Sequence, residues 1–193
     1  MEMYTCLMHS KYQGKNSYSV QSLSEHDMLL IKEWRNAQMD VLRQNRVLTD
    51  EDQMRYYQQV VEPSYTDNET KIILVSFLKD EQLIGYGGLT NIDWIAKRAE
   101  ISFLVDPTRT LHPAQYKQDF LQFLDLMCTI AFCELQFNRL FTETYDIRPL
   151  HISILEQFGF RLEGRMKQHI YIRGEFVDSL LHGYLKEYWK DEK

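Results

Sequence analysis

The 193-residue sequence predicts an α/β (α+β mixed) fold in which a central mixed sheet of seven strands is flanked by about four helices. Three observations predict it. β-rich segments and helix-periodic segments alternate along the chain in the order strand, two helices, three strands, helix, strand, helix, two strands. One stretch, Gln115 to Phe137, carries apolar residues at helical spacing over more than five turns. The hydrophobic fraction of 44% suits a chain with a buried core.

The elements follow from local patterns. Ser17 to Leu23 alternates and reads as a first strand. Ser24 is placed to cap a helix through Met28, Leu29, Ile31, Trp34 and Met39. Thr49 begins a second helix, because Asp50, Glu51 and Asp52 suit the positive end of a helix dipole. That helix runs through Met54, Tyr57 and Val60 and stops before Pro63. Lys71 to Leu78 is almost entirely apolar and β-branched, as a buried central strand must be. Asp80-Glu81 makes a turn. Leu83 to Asp93 follows, with Gly85, Gly87 and Gly88 permitting a bulge or a close backbone approach. Ala99 to Asp106 is the fourth strand. In the long helix Tyr116, Phe120, Phe123, Leu124, Met127, Ile130, Ala131 and Leu135 define the buried face. Arg139 to Tyr145 is the fifth strand. Pro149 suits a first helical position, and Gly159 suits the left-handed residue past a helix end. Arg161 to Ile172 and Phe176 to Leu185 pair around Arg173-Gly174.

Length, the absence of repeats and the lack of a polar linker predict one domain over residues 1–193, with 1–16 and 190–193 peripheral and the Lys190–Lys193 tail frayed. A net charge of -6 argues against nucleic acid held by a general basic footprint, though a local cationic pocket remains compatible with it. Apolar runs are too short to span a bilayer, and MEMYTCLMHSKY lacks the cationic and apolar segments of a secretory signal. The three cysteines, Cys6, Cys128 and Cys133, are few and odd in number, which predicts reduced thiols in a cytoplasm. No Cys/His spacing suggests a metal site.

The stretch Leu140 to Gly183, LFTETYDIRPLHISILEQFGFRLEGRMKQHIYIRGEFVDSLLHG, places a strand, a short helix ending at Phe158-Gly159-Phe160, and an aromatic hairpin in succession. This order resembles the C-terminal half of the GNAT superfamily of acyl-CoA-dependent N-acetyltransferases, and the resemblance extends over roughly Ser17 to Trp189. It implies a sheet splayed between the fourth and fifth strands, with acetyl-CoA as co-substrate in the gap. Backbone groups of Ser102, Phe103, Leu104 and Val105 would then pair with the pantetheine amides as an added strand would. A free backbone N–H there would polarise the thioester carbonyl. The segment where the family binds phosphate, Pro107 to Asp119, contains no glycine. Arg109, Tyr116 and Lys117 are its candidates for contact with the cofactor, at a helix N-terminus that suits an anion. Arg148 replaces a frequent family asparagine, as a phosphate contact or a surface charge.

Amine acetylation needs a neutral amine, and an alkyl amine has a pKa of about 10.4, so a group must take its proton. Glu143 matches a strand glutamate that serves as base in some members, and is otherwise an ordinary strand carboxylate. Leu155 stands where many members carry a tyrosine acid, so that role is vacant or moved. His151 lies in the first turn of the short helix, as acid or base, or as a capping histidine. His169 and Tyr171 share a strand face and line the acceptor pocket or simply pack. Asp178 and His182 share another and could pair. Trp34 and Arg35 lie where family members bind acceptors; Trp34 is equally a core residue, and Arg35 could hold a phosphate or carboxylate. The resemblance implies a small-molecule amine as acceptor, such as an amino sugar on a nucleotide, and is compatible with a homodimer. The patterns Phe160-Arg-Leu-Glu-Gly164 and Gly174-Glu-Phe-Val-Asp178 also resemble acetyltransferases of protein N-termini. A domain that binds a ligand without catalysis is the reading that the glycine-free loop favours.

Overall fold

The computed structural model describes residues 2–189, so the expectation for the Lys190–Lys193 tail lies outside the described residues. One eight-stranded sheet has the order β1-β2-β3-β4-β5-β6-β8-β7. Its strands are β1 Lys11–Gln13, β2 Tyr18–Ser22, β3 Ile73–Lys79, β4 Gln82–Asp93, β5 Arg98–Val105, β6 Arg139–Tyr145, β7 Arg161–Ile172 and β8 Glu175–Leu185. Every neighbouring pair is antiparallel except β5–β6, which is parallel because the long helix crosses between them. The helices are α1 Met28–Ala37, α2 Asp50–Tyr56, α3 Glu62–Ser64, α4 Pro107–Thr110, α5 Pro113–Cys128 and α6 Pro149–Phe158.

The eighth strand is a correction to the expected seven. β1 is short and polar, so its sequence carries no hydrophobic alternation; it exists because β2 offers it an edge. The segment before it is not peripheral either. Tyr4 and Leu7 are buried, and the Tyr4 hydroxyl donates to the Leu74 carbonyl at 3.1 Å and accepts from the Leu74 amide at 2.7 Å.

Local chemistry sets most boundaries. Thr49 and Asp52 form a reciprocal capping box, each side chain accepting from the other's backbone N–H at 3.2 and 3.1 Å. Ser24 precedes a 3₁₀ turn that leads into α1, but its side chain makes no capping bond. The second helix does not stop before Pro63. A π-helical turn, Tyr57–Val61, widens the coil ahead of it, so the proline enters the next turn, α3, at its start, where no N–H is required. At the end of α6 Gly159 adopts φ 118°, and the Phe160 amide returns to the Leu155 carbonyl at 3.0 Å.

The core takes residues from the sheet, from α5 and from α1, whose Met28, Ile31 and Trp34 are buried. Phe103 stacks on Phe120 at 4.6 Å, and Phe77 meets Phe123 edge-on at 5.2 Å. β4 approaches both neighbours closely there. A Cβ on Gly88, which has φ 140°, would lie 2.0 Å from the Ile73 carbonyl oxygen. Gly88→Ala should therefore cost about 3 kcal/mol or more in urea unfolding, through strain and a backbone clash. Gly164→Ala, whose added methyl would meet only Leu181 Cδ1 at 3.8 Å, should change stability by less than about 0.5 kcal/mol.

Candidate active site

β5 and β6 pair at only three positions, Arg98 with Arg139, Ala99 with Leu140 and Glu100 with Phe141. Beyond these, β5 continues to Val105 and β6 to Tyr145 without pairing to each other, while each stays paired to its outer neighbour. The result is a wedge with an open strand edge on each side. Cβ atoms built on Gly87 and Gly85 would lie 2.1 and 2.6 Å from the carbonyl oxygens of Ser102 and Leu104, so those carbonyls face β4. By alternation the backbone groups of Ile101, Phe103 and Val105 face the wedge. This corrects the expected run Ser102–Val105: Phe103 and Val105 present backbone to the gap, Ser102 and Leu104 do not, and Ile101 does. The Val105 carbonyl already accepts from Gln38 Nε2 at 2.8 Å.

Two cavities flank the wedge. One, of about 490 Å³, includes Arg35, Arg43, Tyr86, Glu100, Ser102 and Glu143 in its wall. The other, of about 420 Å³, includes Gln38, Asp40, Thr110, Tyr116 and Arg173. Val41, Arg148 and His151 line both.

On the α1–α2 side a charged cluster spans the wedge. Arg43 donates to both oxygens of the buried Glu100, at 2.8 and 3.2 Å, and to Glu143 Oε2 at 2.7 Å. Burial opposes the charge on Arg43, but Glu100 and Glu143 outweigh it and hold the guanidinium more firmly protonated than a free one. Asn91 Nδ2 donates to Glu100 at 2.5 Å, and Ser179 Oγ to Glu143 Oε1 at 2.8 Å. His169 Nε2 stands 3.6 Å from the same Glu143 oxygen. Arg35 points into this cavity with neutral partners, the Tyr86 hydroxyl at 2.5 Å and Gln44 Oε1 at 3.1 Å.

On the α5–α6 side His151 Nδ1 lies 2.7 Å from the Tyr116 hydroxyl, which also accepts from Arg148 Nη2 at 3.0 Å. The imidazole stacks on Phe120 with centroids 4.2 Å apart. Burial, with the nearby Arg148 and His182, pushes the His151 pKa well below the ordinary histidine value. His151 is thus neither solvated nor a cap.

Other expected residues lie elsewhere. Arg109 reaches not toward the cavities but back to the fully buried Asp119, at 2.7 and 2.9 Å, where the Tyr18 hydroxyl also donates at 2.7 Å. A buried carboxylate must have such partners, and that requirement takes the arginine away from a phosphate role. Lys117 points along the helix surface to Gln157 Oε1 at 2.6 Å. Trp34 is a core residue, 6% exposed, and lines neither cavity. Tyr171 is exposed and packs on Phe176 at 5.0 Å, away from the acceptor cavity that it was expected to line. Asp178 binds Arg165 and Lys167, at 2.8 and 2.9 Å, while His182 lies buried 3.5 Å from Glu156. Sequence reasoning missed Arg43, Glu100, Asn91, Ser179 and Gln38. Each is one polar residue without periodicity or motif; the one signal was the carboxylate of Glu100 between Ala99 and Ile101 in a strand. Among the described residues no group of three His, Cys, Asp or Glu side chains could hold a metal, and no helix is long and apolar enough to cross a membrane.

Arg109→Met should cost about 3–5 kcal/mol of stability by stranding Asp119, while acetyl-CoA affinity, read by calorimetry below the melting range, stays near wild type. The depressed pKa of His151 means the unfolded chain binds a proton that the folded chain refuses. This contribution to stability is present above about pH 6.5 and declines as the pH falls below it. His151→Phe should flatten the pH dependence of Tm on the acid side; an unchanged slope would contradict the assignment.

A family profile described as the acetyltransferase (GNAT) domain matches residues 20–181. The protein named "Putative ribosomal N-acetyltransferase YdaF" of Bacillus subtilis (strain 168) is 26% identical over 121 residues, which is 63% of this chain and 63% of that protein's length. Among solved structures, a spermidine N-acetyltransferase of Vibrio cholerae in complex with CoA and spermine superposes with a TM-score of 0.77 at 17% identity, over 89% of this chain and 96% of that one. RimL, a ribosomal L7/L12 alpha-N-protein acetyltransferase in complex with CoA, superposes with a TM-score of 0.77 at 15% identity, over 91% and 97%. At these identities the superpositions speak for the fold. The profile spans most of the chain, and with the parted strands it establishes that the protein belongs to the GNAT acetyltransferase family, whose co-substrate is acetyl-CoA.

Proposed function

We propose that this chain, acting as a single domain, transfers the acetyl group of acetyl-CoA directly to a primary amine of a small molecule, with Glu143 taking the proton of the amine. The observation that carries this reading is the position of Glu143. It lies on β6 just past the last β5–β6 pair, in the wall of the larger cavity. Arg43 and Ser179 fix its carboxylate, which orients an acceptor without supplying a nucleophile. The residues fit the co-substrate. The inward backbone groups of Ile101, Phe103 and Val105 suit a chain of amides, and Arg148 and Arg173 in the smaller cavity suit its anionic end. Pairing with the Val105 carbonyl requires Gln38 to withdraw. Backbone N–H groups on the β5 edge suit the developing oxyanion.

For the acceptor we favour an amine that carries an anionic group, such as an amino sugar on a nucleotide. Arg35 supports this, since a guanidinium facing a cavity and hydrogen-bonded to neutral partners among the described residues suits a phosphate or carboxylate. A protein N-terminal amine is the second reading, favoured by the name of the Bacillus relative. A cytoplasmic setting, in which the cysteines stay reduced, accords with both. Homodimerisation remains compatible.

Acceptor profiling with nucleotide-linked amino sugars, N-terminal peptides and spermidine tests the choice. Turnover of peptides alone would replace the small-molecule reading. Glu143→Gln should lower kcat by about 10²-fold and alter its pH profile, with acetyl-CoA affinity unchanged. Equal rates at all pH values would remove Glu143 as the base. Failure of acetyl-CoA to release heat or raise Tm would favour a domain without catalysis.

A further inference from the structure

We propose that residues 38–43, the connection that follows α1, form a strap with two grips, each on a place that a substrate must take, so that acetyl-CoA and the acceptor amine help one another to bind; this rests on the acetyl-transfer reading above. The first grip is Gln38. Its Nε2 donates to the Val105 carbonyl at 2.8 Å, on the β5 edge that faces the wedge. A side-chain carboxamide is the same kind of donor as an amide of the pantetheine arm, so the two compete for one acceptor. The second grip is Arg43, whose Nη2 lies 2.8 Å from Glu100 and 2.7 Å from Glu143. One cationic nitrogen thus sits between carboxylates on the two walls of the wedge. An alkyl amine, with a pKa of about 10.4, arrives at neutral pH as an ammonium, and it needs the Glu143 oxygen that Arg43 holds. A carboxylate held by a guanidinium is, besides, a poor proton acceptor.

Both grips belong to one short segment. A 3₁₀ turn, Met39–Val41, joins them, and Val41 lines both cavities, with Gln38 on the smaller and Arg43 on the larger. Beyond Arg43 the chain is anchored, because Gln44 donates to Asn36 Oδ1 at 2.9 Å and accepts from Arg35 Nε at 3.1 Å. Within the strap the fastenings are lighter. Gln38 makes neutral bonds, the second to the Trp34 carbonyl at 3.3 Å. Asp40 pairs with Arg173 at the surface, where such a pair contributes little. Leu42 is only partly buried against the core. The Arg43 side chain is 52% exposed and has solvent to retire into. When it leaves, Ser179 still aims Glu143, Asn91 still holds Glu100, and the incoming ammonium supplies the positive charge. Loss of either grip loosens the segment that carries the other, so each ligand raises the affinity of its partner by the same factor.

A purely structural Arg43 would hold the wedge together, and its loss would leave CoA binding unchanged or weaker, so the test reads the opposite sign. A strap closed in about nine molecules of ten weakens the apparent affinity for CoA about tenfold. By calorimetry with CoA, Arg43→Gln, which frees the acceptor side, should tighten binding about fivefold, and Gln38→Met should do the same. The double variant should reach the ceiling of about tenfold and not the product of about 25-fold, because both changes release one segment. An Arg43→Gln protein that binds CoA no tighter than wild type, or gains that multiply, overturn the strap. NMR of the wild-type protein avoids dependence on a variant that misfolds: bound CoA should speed exchange of the Arg43 guanidinium protons with water, and equal or slower exchange overturns the strap. Any of these failures leaves acetyl transfer standing when the wild-type protein acetylates an amine. A wild-type protein that acetylates no amine removes the acetyl-transfer reading itself, and the strap with it.

Discussion

The rest of the structure depends on the early end of β5–β6 pairing. The sheet is in effect two sheets, β1 to β5 and β6 to β8, joined by three residue pairs. Each half is internally complete, since β5 pairs along β4 and β6 along β8. Parting the halves leaves strand edges that in most proteins would be covered or paired. Here the cost is met from both sides of the wedge. Arg43 bridges Glu100 on one half to Glu143 on the other. On the opposite face Tyr116 of α5 grips His151 of α6, and Arg148 joins them. Polar side chains thus bridge the wedge from both sides.

The polar groups illustrate how desolvation assigns partners. Asp119 is fully buried on a helix whose neighbours are aromatic, so it must be charge-paired and hydrogen-bonded to persist there. Arg109 and Tyr18 do this, and in doing so fold the α4 turn back onto α5. The glycine-free segment from Pro107 to Asp119 is thus tied to α5 by an internal ion pair. Arg148 at the start of α6 and Arg173 at the β7–β8 turn, which also pairs with Asp40, instead line the smaller cavity.

Most elements were legible in the sequence because each carried its own period or punctuation. β6 occupies the expected residues, and β3 to β5 differ by a residue or two, since their apolar runs are bounded by turn residues. α6 is bracketed by Pro149 and Gly159. What escaped was set by distant contacts. β1 has no pattern of its own, Tyr4 is buried by meeting Leu74 seventy residues away, and Pro63 is tolerated only because a π turn precedes it. Glu143, His151, Arg148 and Arg35, expected from position, line the cavities, whereas Arg43 and Gln38 were not expected, since single polar residues in a connection carry no signature.

The sequence by itself determined the order of the elements, the buried face of α5 and the family resemblance, because period, capping and turn chemistry act over a few residues. Only the tertiary structure decided which polar side chains meet. Arg109 went to Asp119 and Arg43 to two carboxylates, Tyr116 turned inward to His151, and alternate β5 backbone groups faced the wedge. Those choices follow from burial, which favours a partner for a desolvated charge or hydroxyl where the fold supplies one.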